Sequence, residues 1–86
     1  SSTEVEDVAM SIEGIQDCIC ISAEHRIMGK AVKLLVVMKE GAVFDKKTIA
    51  RYIAARLEPY KVPQLYEQVE KIARTYNGKL DRKHYK

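Results

Sequence analysis

Two runs in this chain are apolar on both of their alternating faces. One is Cys18-Ile19-Cys20-Ile21, and the other is Ala31 to Met38, with Lys33 as the single exception. A strand with one wet face alternates apolar and polar residues; a strand without that alternation is buried. The Ile, Val and Leu that fill these runs suit an extended, packed backbone. Between them lies Ser22 to Lys30, which holds Glu24, His25, Arg26 and Gly29, and Gly41 marks a turn after the second run. At 86 residues the chain is expected to be one domain, 1–86, with too little strand for two sheets. A domain of this size buries about 60–65% of the surface its unfolded chain exposes, which leaves little room for an enclosed cavity.

Helical periodicity supplies cover for the strands. Thr3-x-x-Glu6 has the form of a capping box, and Val5, Val8, Ala9 and Ile12 follow as one apolar stripe. The pattern predicts a helix near 4–13, ended by Gly14 with Ile15 as a hydrophobic clasp. Asp45 caps a second helix whose apolar face is Ile49, Tyr52, Ile53 and Leu57. Pro59 stops that helix, and Pro63 holds Val62 extended. Gln64 to Glu70 fits a strand or one helical turn, because Leu65 and Val69 satisfy both periods. A short terminal helix is expected from Asp81. The order is then helix, strand, strand, helix, strand, helix: an α+β fold in which a small sheet of about three strands packs with helices.

Composition narrows the class of function. A hydrophobic content of 47% argues for a packed globule and against disorder. No apolar run approaches the ~18 residues needed to span a bilayer. The chain begins at Ser1-Ser2 without an initiator methionine or a signal peptide, so the expectation is an excised piece of a cytoplasmic protein. Cys18 and Cys20 point to the same face of a strand, where a bridge between them would be strained. Zinc wants about four ligands, and only His25 is near in sequence. Two buried, reduced thiols and no metal are therefore expected. Net charge is only +3, but it is unevenly placed: Lys71 to Lys86 carries six Lys or Arg against one acid, or +5, and the remainder carries −2. The basic end favours an anionic partner.

That end contains Arg74-Thr75-Tyr76-Asn77-Gly78-Lys79-Leu80-Asp81-Arg82-Lys83. Asn77-Gly78 reads as a tight-turn dipeptide because both residues tolerate positive φ. Arg74, Lys79, Arg82 and Lys83 surround it, so a bend presents a cluster of cations. Lys79 follows the glycine directly. A compact ammonium on a four-carbon stem suits a phosphate or carboxylate oxygen that gains charge in a reaction. This is not a phosphate-binding P-loop, since Ala73 and Leu80 stand where glycine and Ser or Thr are required. His25 and His84 have no partners for a nucleophilic triad or dyad. By residue type alone the stretch is a hairpin tip with a solvated lysine.

The order Arg74-Thr75-x-x-Gly78-Lys79-x-x-Arg82-Lys83, preceded by Tyr60-Lys61-Val62-Pro63, resembles the end of the adenylate-forming enzymes: acyl-CoA synthetases, peptide-synthetase adenylation domains and luciferases. The resemblance runs from Glu4-Val5-Glu6 to Tyr85 and covers only the small C-terminal domain. It favours a strand for the third segment. It implies that Lys79 is the catalytic lysine of adenylation, with Arg74, Thr75, Asn77 and Gly78 in the loop nearest substrate and ATP. It further implies ATP, Mg2+ and CoA as cofactors of the full-length enzyme, and the protein's own N-terminal domain as partner. That domain holds the ATP phosphates, so this chain alone is expected to bind no cofactor and to be inactive. In the family the small domain alternates between two poses, and the hinge and most of the thiol-transfer face lie upstream of Ser1. Lys61 and Gly29 are candidate interface positions. Gly29 matches the glycine of a family Pro-Asp-x-x-x-Gly-Glu pattern, from which Glu24-His25 and Lys30 depart, and Ala73 replaces a proline usual before Arg-Thr.

The leading expectation is the mobile C-terminal domain of an ATP-dependent, AMP-forming carboxylate–CoA ligase of fatty acid metabolism. An alternative is the matching part of an adenylation domain that loads an acyl or amino acid onto a carrier protein. A distant alternative is a small basic nucleic-acid-binding domain with Tyr76 and Tyr85 as stacking rings; no aromatic ribonucleoprotein motif or glycine-clamp loop supports it.

Overall fold

In a computed structural model, which describes residues 2–86, the chain forms helix α1 (Ser2–Met10), strands β1 (Ile15–His25) and β2 (Gly29–Met38), helix α2 (Lys46–Ala54) and strand β3 (Leu65–Gln68). Two 3-10 turns follow α2 and β3 respectively, at Pro59–Lys61 and Arg82–Tyr85. This is the expected α+β order. β1 and β2 form an antiparallel hairpin, and β3 adds to β2 in parallel, giving the order β1-β2-β3. Parallel neighbours need a crossover, and α2 provides it. The segment that fitted both periods is a strand, held at its ends by Gln64 N–H to Val32 O and Val69 N–H to Val36 O. The terminal helix is one 3-10 turn, with the Asp81 carboxylate accepting from His84 N–H.

The sheet is covered differently on its two faces. Cys18, Cys20, Leu34 and Val36 pack against Val5 and Ala9 of α1 and Ile49 and Ile53 of α2. Ile19, Leu35 and Val37 face the other way, onto Ile72, with Val69, Leu80 and Tyr85 beside it. Helices therefore cover one face only, and the segment after β3 covers the second. That two-sided cover explains why both strand runs lack alternation. The small sheet packs with helices as expected, and the cover of its second face comes in addition.

The helix termini follow local chemistry in one case and not in the other. At α2, the Asp45 carboxylate accepts from Lys47 and Thr48 N–H at 3.1 and 3.3 Å. Those bonds, led by Thr48, hold its carboxyl below the ordinary value. Leu57 lies past the end of α2 but still packs on the core. At α1 the capping box is not formed: Thr3 lies inside the helix, and the Glu6 carboxylate is engaged elsewhere. The helix ends at Met10 rather than near residue 13, tightened by Ser11 N–H to Val8 O and Ile12 N–H to Ala9 O, before Gly14 turns the chain into β1.

Cys18 and Cys20 are free, buried and on the same face, as their spacing predicts. Burial, reinforced by the nearby Glu6 charge, pushes the Cys18 thiol up to about 12 and raises Cys20 as well.

Two outcomes follow from this packing. Leu34 is fully buried, and Leu34→Ala is expected to lose about 2–5 kcal/mol in urea unfolding through lost burial and a residual cavity. The unfolded chain releases the Cys18 proton from the ordinary thiol value of 9.0 upward, while the folded chain keeps it to about 12. Stability is therefore expected to fall as pH rises above 9, and Cys18→Ser should flatten that part of a pH titration of the unfolding midpoint.

Candidate functional site: the lysine hairpin

Arg74 and Leu80 pair as an isolated antiparallel bridge and close a small hairpin. Thr75 N–H donates to Lys79 O at 2.8 Å, Gly78 N–H to Thr75 O at 2.9 Å, and Asp81 N–H to Ala73 O at 3.0 Å. The turn runs from Thr75 to Gly78, with Tyr76 and Asn77 at its centre. Among the described residues only glycines have positive φ, and Gly78 sits at +85°. The turn is thus not built on Asn77-Gly78 as its central pair. Instead Gly78 takes the left-handed position that follows the turn and returns the chain to pairing. A Cβ at Gly78 would meet nothing within 4 Å, so the backbone conformation, not crowding, selects glycine there.

Three neighbouring side chains hold this shape. The Thr75 hydroxyl bonds to the Asn77 side-chain oxygen and accepts from Lys79 N–H at 3.2 Å. The Arg74 guanidinium donates to Gly78 O at 3.1 Å and pairs with the Asp17 carboxylate near the start of β1. Asp17 also accepts from Cys18 N–H at 2.9 Å, which fixes its position. Lys79, by contrast, is exposed, and its ammonium has no ion pair or hydrogen bond among the described residues.

A second tether lies just downstream. Glu6 of α1 is 6% exposed, and its carboxylate receives both Arg82 guanidinium nitrogens, at 2.8 and 2.9 Å, together with Cys20 N–H at 2.8 Å. The pairing with Glu6 raises Arg82 further above its ordinary value. Arg74 and Arg82 are therefore structural clamps, and the cation cluster read from the sequence is smaller than its residue types imply. Local spacing assigns Glu6 to a cap and gives Asp17 no role. The available signal was a carboxylate three residues before Ala9 on the buried side of α1.

The other candidate positions lie apart from the hairpin. Lys61 is bound by Glu4 at 3.0 Å and Glu58 at 3.2 Å, on the helix-covered side. Those two carboxylates hold its ammonium protonated well above the usual lysine range. Gly29 pairs with His25 at the β1–β2 turn, where His25 Nδ1 accepts from Ile27 and Met28 N–H. The strand rise of about 3.3 Å per residue puts that turn roughly 26 Å from Asp17, and so from the lysine hairpin. The structure thus joins Arg74, Thr75, Asn77, Gly78 and Lys79, and separates Gly29 from them. Among the described residues no three His, Cys, Asp or Glu are grouped to hold a metal ion, and no helix is long and apolar enough to cross a membrane.

The Glu6 clamp is directly testable. Glu6→Ala removes the partner of Arg82 and leaves Cys20 N–H without its acceptor. It is expected to cost about 1–3 kcal/mol in urea unfolding. Amide exchange should also rise selectively in residues 72–85, which the clamp holds against the sheet.

The profile of the AMP-binding enzyme C-terminal domain family matches residues 4–79. The chain is 35% identical over 80 residues to the long-chain-fatty-acid–CoA ligase of Bacillus subtilis (strain 168), covering 93% of this chain and 14% of that protein. It is 34% identical over 80 residues to the 3,4-dihydroxybenzoate–[aryl-carrier protein] ligase of Bacillus anthracis, covering 93% and 18%. Its fold superposes on a Mycobacterium tuberculosis fatty acyl CoA synthetase with a TM-score of 0.84 at 26% identity, over 98% of this chain and 17% of that one. The chain spans less than a fifth of the length of each of these proteins. With the matched profile ending on the hairpin lysine itself, the chain belongs to the AMP-binding enzyme C-terminal domain family, the C-terminal domain of adenylate-forming enzymes.

Proposed function

We propose that this chain is the mobile C-terminal domain of an ATP-dependent, AMP-forming carboxylate–CoA ligase, and that Lys79 is its adenylation lysine. The observation that carries the reading is an exposed ammonium without a partner on a hairpin whose neighbouring cation, Arg74, is tied down. The reaction needs such a group. A carboxylate oxygen attacks the α-phosphorus of ATP, a phosphorus–oxygen bond forms, and pyrophosphate leaves with the electron pair of the broken bond. Carboxylate and phosphate repel each other on approach. A cation reaching both orients them and balances the charge that grows on the phosphoryl oxygens. Arg74, Thr75, Asn77 and Gly78 serve this step by fixing the loop that holds Lys79.

The acid, ATP and CoA bind in the N-terminal part of the full-length protein, where Mg2+ accompanying ATP also finds its ligands. The isolated chain is inactive on this reading. Fatty acids are the favoured substrate class, because the Bacillus subtilis and Mycobacterium tuberculosis relatives carry that name. The two reduced thiols suit the cytoplasm. A carrier-protein acceptor is the second reading, favoured by the name of the Bacillus anthracis relative. Nucleic-acid binding has less support, since Arg74 and Arg82 are engaged within the domain.

In the full-length enzyme, Lys79→Ala is expected to slow acyl-adenylate formation by about 10²–10³, measured by ATP–pyrophosphate exchange. Transfer from a supplied acyl-adenylate to CoA should continue. Unchanged exchange in Lys79→Ala would remove the proposal.

A further inference from the structure

Tyr76 occupies the centre of the Thr75–Gly78 turn and is 103% exposed. Among the described residues it has no hydrogen bond, ring contact or cation above its face. A tyrosine wholly in water contributes nothing to the fold at that point, where Pro, Asp, Asn or Ser would serve the turn as well or better. The turn beneath it is nonetheless firmly built. Arg74 binds Gly78 O and Asp17, and Thr75 bonds Asn77 and Lys79 N–H. The ring and the Lys79 ammonium are thus carried by one five-residue loop of set shape.

An aromatic on a backbone turn that is already held has only its own two side-chain torsions to fix on docking, and it brings a large apolar face with a polar tip. Such side chains commonly dominate the energetics of a contact. We infer that Tyr76 is a positioning residue: its ring packs against the N-terminal part of the same protein and seats the hairpin so that Lys79 reaches the reacting carboxylate and phosphate. This inference rests on the adenylation reading of Lys79. The occupant follows from one fact and from the reading of Lys79. Relatives of this chain continue for several times its length, and the loop that carries Tyr76 also carries the cation whose proposed target lies in that remainder. Tyr76 would act only while the hairpin is docked, and so only in the half-reaction that uses Lys79.

The test is a double-mutant cycle in the full-length enzyme. Tyr76→Ala is expected to lower kcat/KM for ATP–pyrophosphate exchange by about 10–100-fold, the effect of losing a central aromatic contact. Tyr76→Phe keeps the ring and should restore exchange to within about threefold, because the apolar face supplies most of such a contact. Tyr76→Ala added to Lys79→Ala should cost nothing further, as expected of two groups acting in one event. Transfer from a supplied acyl-adenylate to CoA, and the melting temperature of the 86-residue chain, should be unchanged by Tyr76→Ala. A Tyr76→Ala exchange rate within about twofold of the parent, beside a large loss in Lys79→Ala, would overturn this inference alone. So would equal losses in both half-reactions, an additive loss in the double variant, or a Phe variant as poor as Ala. No loss in Lys79→Ala would instead overturn the reading beneath it.

Discussion

The buried Glu6 carboxylate holds the parts of this domain together. It sits at the outer edge of β1, where Cys20 N–H has no strand to pair with, and it accepts that donor. From the other side it takes both guanidinium nitrogens of Arg82. One carboxylate thereby links the first helix, the sheet edge and the last turn of the chain. Arg82 remains 43% exposed along its side chain, so solvent weakens the charge attraction. What the contact supplies is geometry: α1 covers one face of the sheet, the C-terminal segment covers the other, and the clasp passes around the edge between them. Tyr85 strengthens the second cover, its hydroxyl accepting from Ala73 N–H at 2.9 Å.

The consequence for function is that the lysine hairpin shares the core of the domain. Ile72 and Leu80 flank it and pack on the sheet, and Arg74 ties it to Asp17. Lys79 cannot travel far by bending its own loop. Any large displacement of its ammonium has to move the sheet and helices with it. The cations divide accordingly. Arg74 and Arg82, with planar forks suited to carboxylates, turn inward. Lys79, a point charge on a flexible stem, turns outward. The basic character of the C-terminal end is real in the count, but two of its six cations, Arg74 and Arg82, are already matched by acids on β1 and α1.

Local chemistry in the sequence told the elements well and the long-range contacts poorly. Strand runs apolar on both faces, Asp45 before α2 and the same-face cysteines each depend on near neighbours, and each is found as read. Glu6 was misread because Thr3-x-x-Glu6 satisfies a local rule, whereas its partner is 76 residues away. Arg74 and Arg82 looked like free cations for the same reason, since nothing near them in sequence names Asp17 or Glu6. The second face of the sheet is covered by a segment in which Ile72, Leu80 and Tyr85 recur at neither a helical nor a strand period. The hairpin was located correctly, but its turn was placed one residue late, because Asn-Gly is equally at home at the centre of a turn or at its exit. Family resemblance supplied the chemistry proposed for Lys79, which residue types alone left as a solvated side chain.

The most direct measurement is a structure of the full-length protein with a stable acyl-adenylate analogue bound. Lys79 Nζ should lie about 2.7–3.2 Å from a carboxyl or phosphoryl oxygen of the analogue, with Arg74 still paired to Asp17 and Arg82 to Glu6. Lys79 in solvent while another cation contacts those oxygens, or a hairpin freed from Asp17 to reach them, would contradict a rigid domain delivering this lysine.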